Sequence, residues 1–139
     1  MDGHAFEDLA IGQTASLGKT ITEADVLLFG AVSLDTNPVH FNAEAAAQTL
    51  FKERIAHGML SAGLISAVLG TKLPGPGSIY LTQSLAFRRP VRIGDTVTAT
   101  VTVTALDPDT RRATLSTVCT VGGKTVITGE ATVLPLSRA

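Results

Sequence analysis

The stretch Gly58-Met59-Leu60-Ser61-Ala62-Gly63-Leu64-Ile65-Ser66-Ala67-Val68-Leu69-Gly70-Thr71-Lys72-Leu73 carries no acidic residue and sets apolar side chains on nearly every helical face. A helix that is apolar all round is either buried or membrane-spanning. This one is too short, and too rich in Gly and Ser, to cross a bilayer, which asks for ~20 apolar residues. It is expected in the core, and Pro74-Gly75-Pro76-Gly77 stops it. The chain beyond that stop reads as strand: Ser78 to Phe87, Thr96 to Leu106, Arg111 to Val121 and Thr125 to Leu134 are rich in Thr, Val and Leu. Period-two alternation is clearest in Thr96-Val97-Thr98-Ala99-Thr100-Val101-Thr102-Val103. Asp107-Pro108-Asp109-Thr110 and Gly122-Gly123 are turn chemistry, so the last three strands are expected to form antiparallel hairpins. With a further strand over Gln13 to Ile21, one long helix and about five strands imply an α+β arrangement, a curved antiparallel sheet wrapped around the helix. Such a sheet keeps an edge and a flank to protect, for which a homodimer with joined sheets is the expected solution.

Between the first strand and the buried helix lies a polar, helix-forming segment. Thr22-Glu23-Ala24-Asp25 offers a capping hydroxyl with an acidic residue three positions on, so a helix should start here. Asn37-Pro38 is expected to end it, because the residue before proline is pushed out of helical geometry. A short helical stretch from Asn42 through Gln48 then leads to the polar link Lys52-Glu53-Arg54.

The chain has 139 residues, which fits one domain over residues 1–139. With 45% hydrophobic and 17% charged residues it can bury a core, and disorder is excluded. A net charge of −1 without a basic stripe argues against nucleic acid as a partner. The single cysteine, Cys119, cannot form a disulfide framework and is read as a packed thiol. The start, Met1-Asp2-Gly3-His4-Ala5-Phe6-Glu7-Asp8, has acidic residues where a signal peptide has basic ones, so a cytoplasmic location away from membranes is expected. CxxC pairs, HExxH, GxGxxG, GxxxxGK[ST] and G-x-S-x-G are all absent from the sequence. Neither a metal nor a nucleotide cofactor is implied.

The run Asp35-Thr36-Asn37-Pro38-Val39-His40 is the most informative for chemistry. On a continuous helix, residues five apart are rotated by roughly 140°, so Asp35 and His40 would face different ways. A break at Pro38 lets carboxylate and imidazole converge and hold a water between them, the acid/base pair that addition of water to an activated alkene requires. A carboxylate at a helix C-terminus also opposes the macrodipole, so stability alone does not ask for Asp35. The alternative is an Asx turn at Asp35 with His40 a satisfied surface histidine.

The second constellation is Ala56-His57-Gly58-Met59. Free amides at a helix start suit developing negative charge, and Gly58 lets a substrate approach the backbone. That combination suggests an oxyanion site for a thioester carbonyl. His57 reads more simply as a neutral cap of the helix, since a cation there opposes the dipole. Ser66 lies two turns further in; its hydroxyl could bond Asp35 or return to its own helix carbonyl.

Together these residues resemble the MaoC-like (R)-specific enoyl-CoA hydratases, a hot-dog-fold family, over roughly Phe6 to Pro135. The resemblance rests on Asp35-Thr36-Asn37-Pro38-Val39-His40, the most specific motif. Ile55-Ala56-His57-Gly58-Met59-Leu60, Gly77-Ser78-Ile79-Tyr80-Leu81 and Phe87-Arg88-Arg89-Pro90-Val91 leading to Gly94-Asp95 add to it. It implies (R)-specific hydration of a trans-2-enoyl-CoA to an (R)-3-hydroxyacyl-CoA, or the reverse dehydration, in fatty acid metabolism or polyhydroxyalkanoate precursor supply. Asp35 and His40 would hold the attacking water, the Gly58 amide would bind the thioester oxygen and Ser66 would orient Asp35. Asn37 and Leu69 join Gly58 and Ser66 as substrate-binding residues, and Leu64, Ser66, Leu69 and Thr132 are candidates for the acyl pocket. The cluster Arg88-Arg89-Arg92 either meets the coenzyme A phosphates or is merely solvated.

Three rivals share the fold. A hot-dog thioesterase usually places a carboxylate on the central helix, and Gly58 to Leu73 has none. An acyl-carrier-protein dehydratase carries His-Phe-Pro-Gly where this chain reads His40-Phe41-Asn42-Ala43. A noncatalytic thioester-binding subunit commonly lacks one of the Asp/His pair, whereas both are present here.

Overall fold

The hairpin-rich second half folds as its turn chemistry predicts. In the computed structural model, which describes residues 2–138, strands β1 (Thr14–Thr20), β2 (Ile79–Phe87), β3 (Thr96–Asp107), β4 (Arg112–Val121) and β5 (Lys124–Leu134) form one antiparallel sheet in the order β1-β3-β4-β5-β2. The β4–β5 turn puts Gly122 at φ 55° and Gly123 at φ 78°. Glycines suit two successive left-handed positions in a tight hairpin. Period-two patterning did not place β2, which crosses to the far edge and pairs with β5 from Ile79↔Leu134 to Phe87↔Ile127.

The alternation seen in the sequence sorts the two faces of the sheet. Val97, Ala99, Val101 and Val103 of β3 point inward with Ala113, Leu115 and Cys119 of β4 and Ala131 and Val133 of β5. Against them packs helix α4 (Gly58–Thr71), through Leu60, Ala62, Ile65, Val68 and Leu69. Cys119 is a packed thiol as expected: burial pushes its pKa up to about 11, and its Sγ faces the Ser61 carbonyl at 3.7 Å.

Helix α4 departs from expectation in one respect. It is not covered on every face: Met59 is 55% exposed, and Gly63, Ser66 and Gly70 are exposed along the same line. Their spacing of three and four residues makes one stripe, and a Cβ added at Gly63 or Gly70 would meet nothing within 4 Å. The inward face alone satisfies the fold of one chain. Next to that stripe the edge strand β2 exposes Ile79, Tyr80 and Leu81.

The segment over the sheet holds helices α1 (Glu23–Ser33), α2 (Pro38–Phe41) and α3 (Ala43–Ala47). Thr22 caps α1 in a full capping box with Asp25, and Asn42 caps α3 by accepting from the Ala45 amide at 3.0 Å. The end of α1 is not set by Asn37-Pro38. It stops at Ser33, where Leu34 takes φ 64° and donates its amide to the Gly30 carbonyl. Pro38 instead opens α2, at a first-turn position where its missing N–H costs nothing. Among the described residues, no helix is long and apolar enough to cross a membrane.

The register between β2 and β5 depends on Gly129. A Cβ there would lie 1.9 Å from the Ser84 carbonyl oxygen, a backbone atom with no room to retreat. Gly129→Ala should therefore lower stability by ~1–3 kcal/mol, read as a fall in the urea midpoint. An unchanged midpoint would show that β2 can shift freely.

Candidate active site

Leu34 is the pivot of the Asp35–His40 run. A non-glycine residue held at φ 64° stores strain of ~1–3 kcal/mol, and it swings Asp35 off the axis of α1. Two successive side-chain turns come next. Asp35 Oδ1 accepts from the Asn37 amide at 3.3 Å, and Asn37 Oδ1 accepts from the Val39 amide at 3.1 Å. The Asx turn, the alternative to catalysis, is thus present, and it coexists with convergence. While Oδ1 makes the turn, Oδ2 faces His40 Nε2 across 4.0 Å. Asp35 is half-exposed and His40 is buried.

The hydrogen bonds settle which nitrogen of each histidine carries its proton. His40 Nδ1 lies 2.8 Å from the Ile55 carbonyl oxygen, which can only accept, so Nδ1–H donates. That leaves the Nε2 lone pair aimed toward Asp35 Oδ2. Two acceptors 4.0 Å apart do not bond each other, but an oxygen about 2.8 Å from each fits between them and can donate to both. The His40 backbone is also pinned. Its carbonyl accepts from Arg54 Nε at 2.7 Å, and the Arg54 guanidinium is held by both carboxylate oxygens of Glu23 at 2.9 and 3.0 Å.

His57 does not cap α4 with its side chain. Its ring stacks on His40 with centroids 3.8 Å apart and planes at 28°. Its Nε2 lies 2.8 Å from the Asp35 carbonyl oxygen and must donate to it. Among the described residues its Nδ1 is buried with no partner, a cost of ~1–3 kcal/mol. Phe29 packs on the ring at 4.8 Å and Phe41 at 5.6 Å. Ligand atoms of Asp35, His40 and His57 all lie within 4.8 Å of one another. Stacked rings hold their in-plane lone pairs in near-parallel planes, however, and a tetrahedral ion asks for convergence.

Gly58, the residue after His57, opens α4 and lines a cleft of about 270 Å³ with Ile55, Ser61, Phe87, Arg88 and Arg89. First-turn amides have no partner within the helix, so the Gly58 N–H is available to an acceptor. The Ile55 residue that braces His40 forms part of the cleft wall. A Cβ at position 58 would sit 2.6 Å from the Phe87 ring, so glycine here serves packing as well as access. The arginine cluster divides: Arg92 pairs with Glu53, while Arg88 and Arg89 line the cleft.

The other sequence candidates lie elsewhere in the chain. Ser66 sits on the exposed stripe of α4, in a shallow depression with Met59, Tyr80 and Gln83, and makes no hydrogen bond to Asp35 among the described residues. Leu69 is 2% exposed and belongs to the core. Leu64 packs against the core and Thr132 is half-buried on β5. Asn37 is exposed, its side-chain carbonyl spent on capping α2.

Sequence reasoning missed the parts played by His57, Arg54, Glu23 and the Phe29/Phe41 enclosure. A signal for one of them existed. Gly30 sits inside a helix, where glycine costs ~1 kcal/mol against alanine, and its reason is Phe41, whose Cζ would lie 2.3 Å from an added Cβ. Gly30→Ala should push that ring off His57, lower stability by ~1–3 kcal/mol and shift the His57 ring-proton resonances. A denaturant titration and proton NMR check this, and unchanged resonances would show that Phe41 does not brace the imidazole.

Comparison with known proteins agrees with this architecture. Residues 8–129 match the family described as MaoC like domain. The chain is 64% identical over 135 residues to an (R)-specific enoyl-CoA hydratase of Rhodospirillum rubrum, covering 97% of this chain and 94% of that one. Its structure superposes on an R-hydratase of Pseudomonas aeruginosa with a TM-score of 0.92 and 46% identity, covering 98% and 88% of the two chains. It superposes on the (R)-hydratase of Aeromonas caviae with a TM-score of 0.89 and 50% identity, covering 94% and 98%. The chain therefore belongs to the MaoC-like family and has the hot-dog fold of its R-hydratase members.

Proposed function

We propose that this chain, a hydro-lyase by its family and relatives, adds water to the double bond of a trans-2-enoyl-CoA to give the (R)-3-hydroxyacyl-CoA, with Asp35 and His40 as its acid/base pair. The observation that carries the reading is the 4.0 Å gap between Asp35 Oδ2 and His40 Nε2. Both atoms accept, and the gap has the size of one water. That water loses a proton to the pair as its oxygen bonds to the β-carbon. Electron density moves onto the thioester oxygen, where the Gly58 amide would stabilise it, and the pair returns a proton to the α-carbon. Arg88 and Arg89 at the cleft suit the coenzyme A phosphates.

The R configuration follows the names of the relatives. The Aeromonas caviae protein is described as involved in PHA biosynthesis, and an (R)-3-hydroxyacyl-CoA here would be a precursor of such polymers. The rival thioesterase reaction has less support, because α4 supplies no carboxylate to the cleft.

The test is to mix the protein with crotonyl-CoA, follow loss of the conjugated thioester's ultraviolet absorbance, and determine the product's configuration. Release of free thiol without hydration would overturn the reading. Asp35→Asn and His40→Gln should each lower kcat by at least ~100-fold with circular dichroism unchanged. Near-normal turnover in either variant would remove that residue from the chemistry.

A homodimer is part of the proposal. The open stripe Met59-Gly63-Ser66-Gly70 and the exposed Ile79, Tyr80 and Leu81 of β2 are what a second copy would cover. Ser66 and the acyl chain would then meet on that covered face. Light scattering on the eluting protein should give twice the 14.4 kDa chain mass, and Met59→Glu should shift it toward monomer. A fully active monomer at micromolar concentration would rule the dimer out.

A further inference from the structure

We propose that His57 is a positioning residue that locks the Asp35 loop and the thioester-binding amide of Gly58 into one rigid frame, an inference that rests on the function proposed above. Beyond its side-chain turn, Asp35 has few ties. Its amide reaches Ser33 Oγ at 3.2 Å, at the same helix end, and its side chain is 51% exposed. The bond of its carbonyl to His57 Nε2 at 2.8 Å is what connects this loop to the core. His57 itself is 2% exposed and immediately precedes Gly58, the first residue of the central helix. The residue that holds the acid/base loop and the residue that holds the substrate carbonyl are therefore neighbours in the chain.

The ring contributes a second constraint. His57 stacks at 3.8 Å beneath His40, whose Nδ1 is already held by the Ile55 carbonyl. His40 is thereby prevented from rotating its Nε2 away from Asp35. A purely structural side chain in this aromatic niche, between Phe29 and Phe41, has no use for nitrogen. Phenylalanine would fill it without leaving Nδ1 buried and unpartnered. What phenylalanine lacks is the donor to Asp35.

Two measurements test this. With crotonyl-CoA as substrate, His57→Phe, which keeps the stack and loses the donor, should lower kcat by at least about tenfold while KM stays within about threefold, and His57→Gln, which keeps a donor and loses the stack, should recover part of that loss. A folded His57→Phe variant with kcat within about threefold of wild type, or a His57→Gln variant no better than His57→Phe, overturns the proposal. In nitrogen-15-labelled wild-type protein, His57 should carry a proton on Nε2 and His40 a proton on Nδ1. A His57 protonated on Nδ1 alone overturns the proposal even where no variant folds. Wild-type protein that leaves crotonyl-CoA unchanged would defeat the function instead, and the labelled spectrum would still decide the His57 geometry.

Discussion

The packing of α4 against the inner face of the sheet is the constraint on which the other features depend. Leu60, Ile65, Val68 and Leu69 seat the helix on Val97, Val101, Leu115 and Val133, and close-packed side chains of this kind leave little freedom to slide. Its first residue is consequently a fixed point. His57 and Gly58 inherit that rigidity, one reaching outward to the Asp35 carbonyl and the other facing the cleft. The overlying segment is far less well buried, with Leu27, Leu28, Val32 and Leu34 open to solvent. Val26, Phe29 and Phe41 pack it on the core, and polar bonds to the core beneath add to that hold.

Those polar bonds do more than hold the segment. Backbone carbonyls of Ile55 and Asp35 each accept from one imidazole nitrogen and so assign the tautomers of both histidines. Because a carbonyl cannot donate, the donating nitrogen of each ring is forced. The outcome sets His40 Nε2 and an Asp35 oxygen on the same small volume. A direct hydrogen bond would have closed that volume. The 4.0 Å separation follows from the turn at the strained Leu34 and the Asx turn at Asp35.

The departures from the sequence-based expectations share a cause. Pro38 is expected to end one helix and instead begins the next, because α1 has already unwound at Leu34, a residue with no turn-forming signature. Ser66 and the apolar stripe on α4 look buried when a helix is read in isolation, yet one chain covers only the inward side. Leu69 looks like a pocket wall for the same reason and lies in the core. Hydrophobicity reports that a residue will be covered, and it does not report by what.

Local physics pointed to the α+β class, the central helix, the β3–β4–β5 hairpins and the Thr22 capping box, since each rests on spacing, propensity or turn chemistry within a few residues; for Asp35 and His40 it left convergence and a simple Asx turn as open alternatives. The place of β2 beside β5, the His57–Asp35 bond across 22 positions and the Glu23–Arg54–His40 brace belong to the tertiary structure. They join groups far apart in the chain, and no periodicity records which distant donor will meet which acceptor. A carbonyl and an imidazole are near-universal partners, so their identities carry almost no pairing information until the core brings them together.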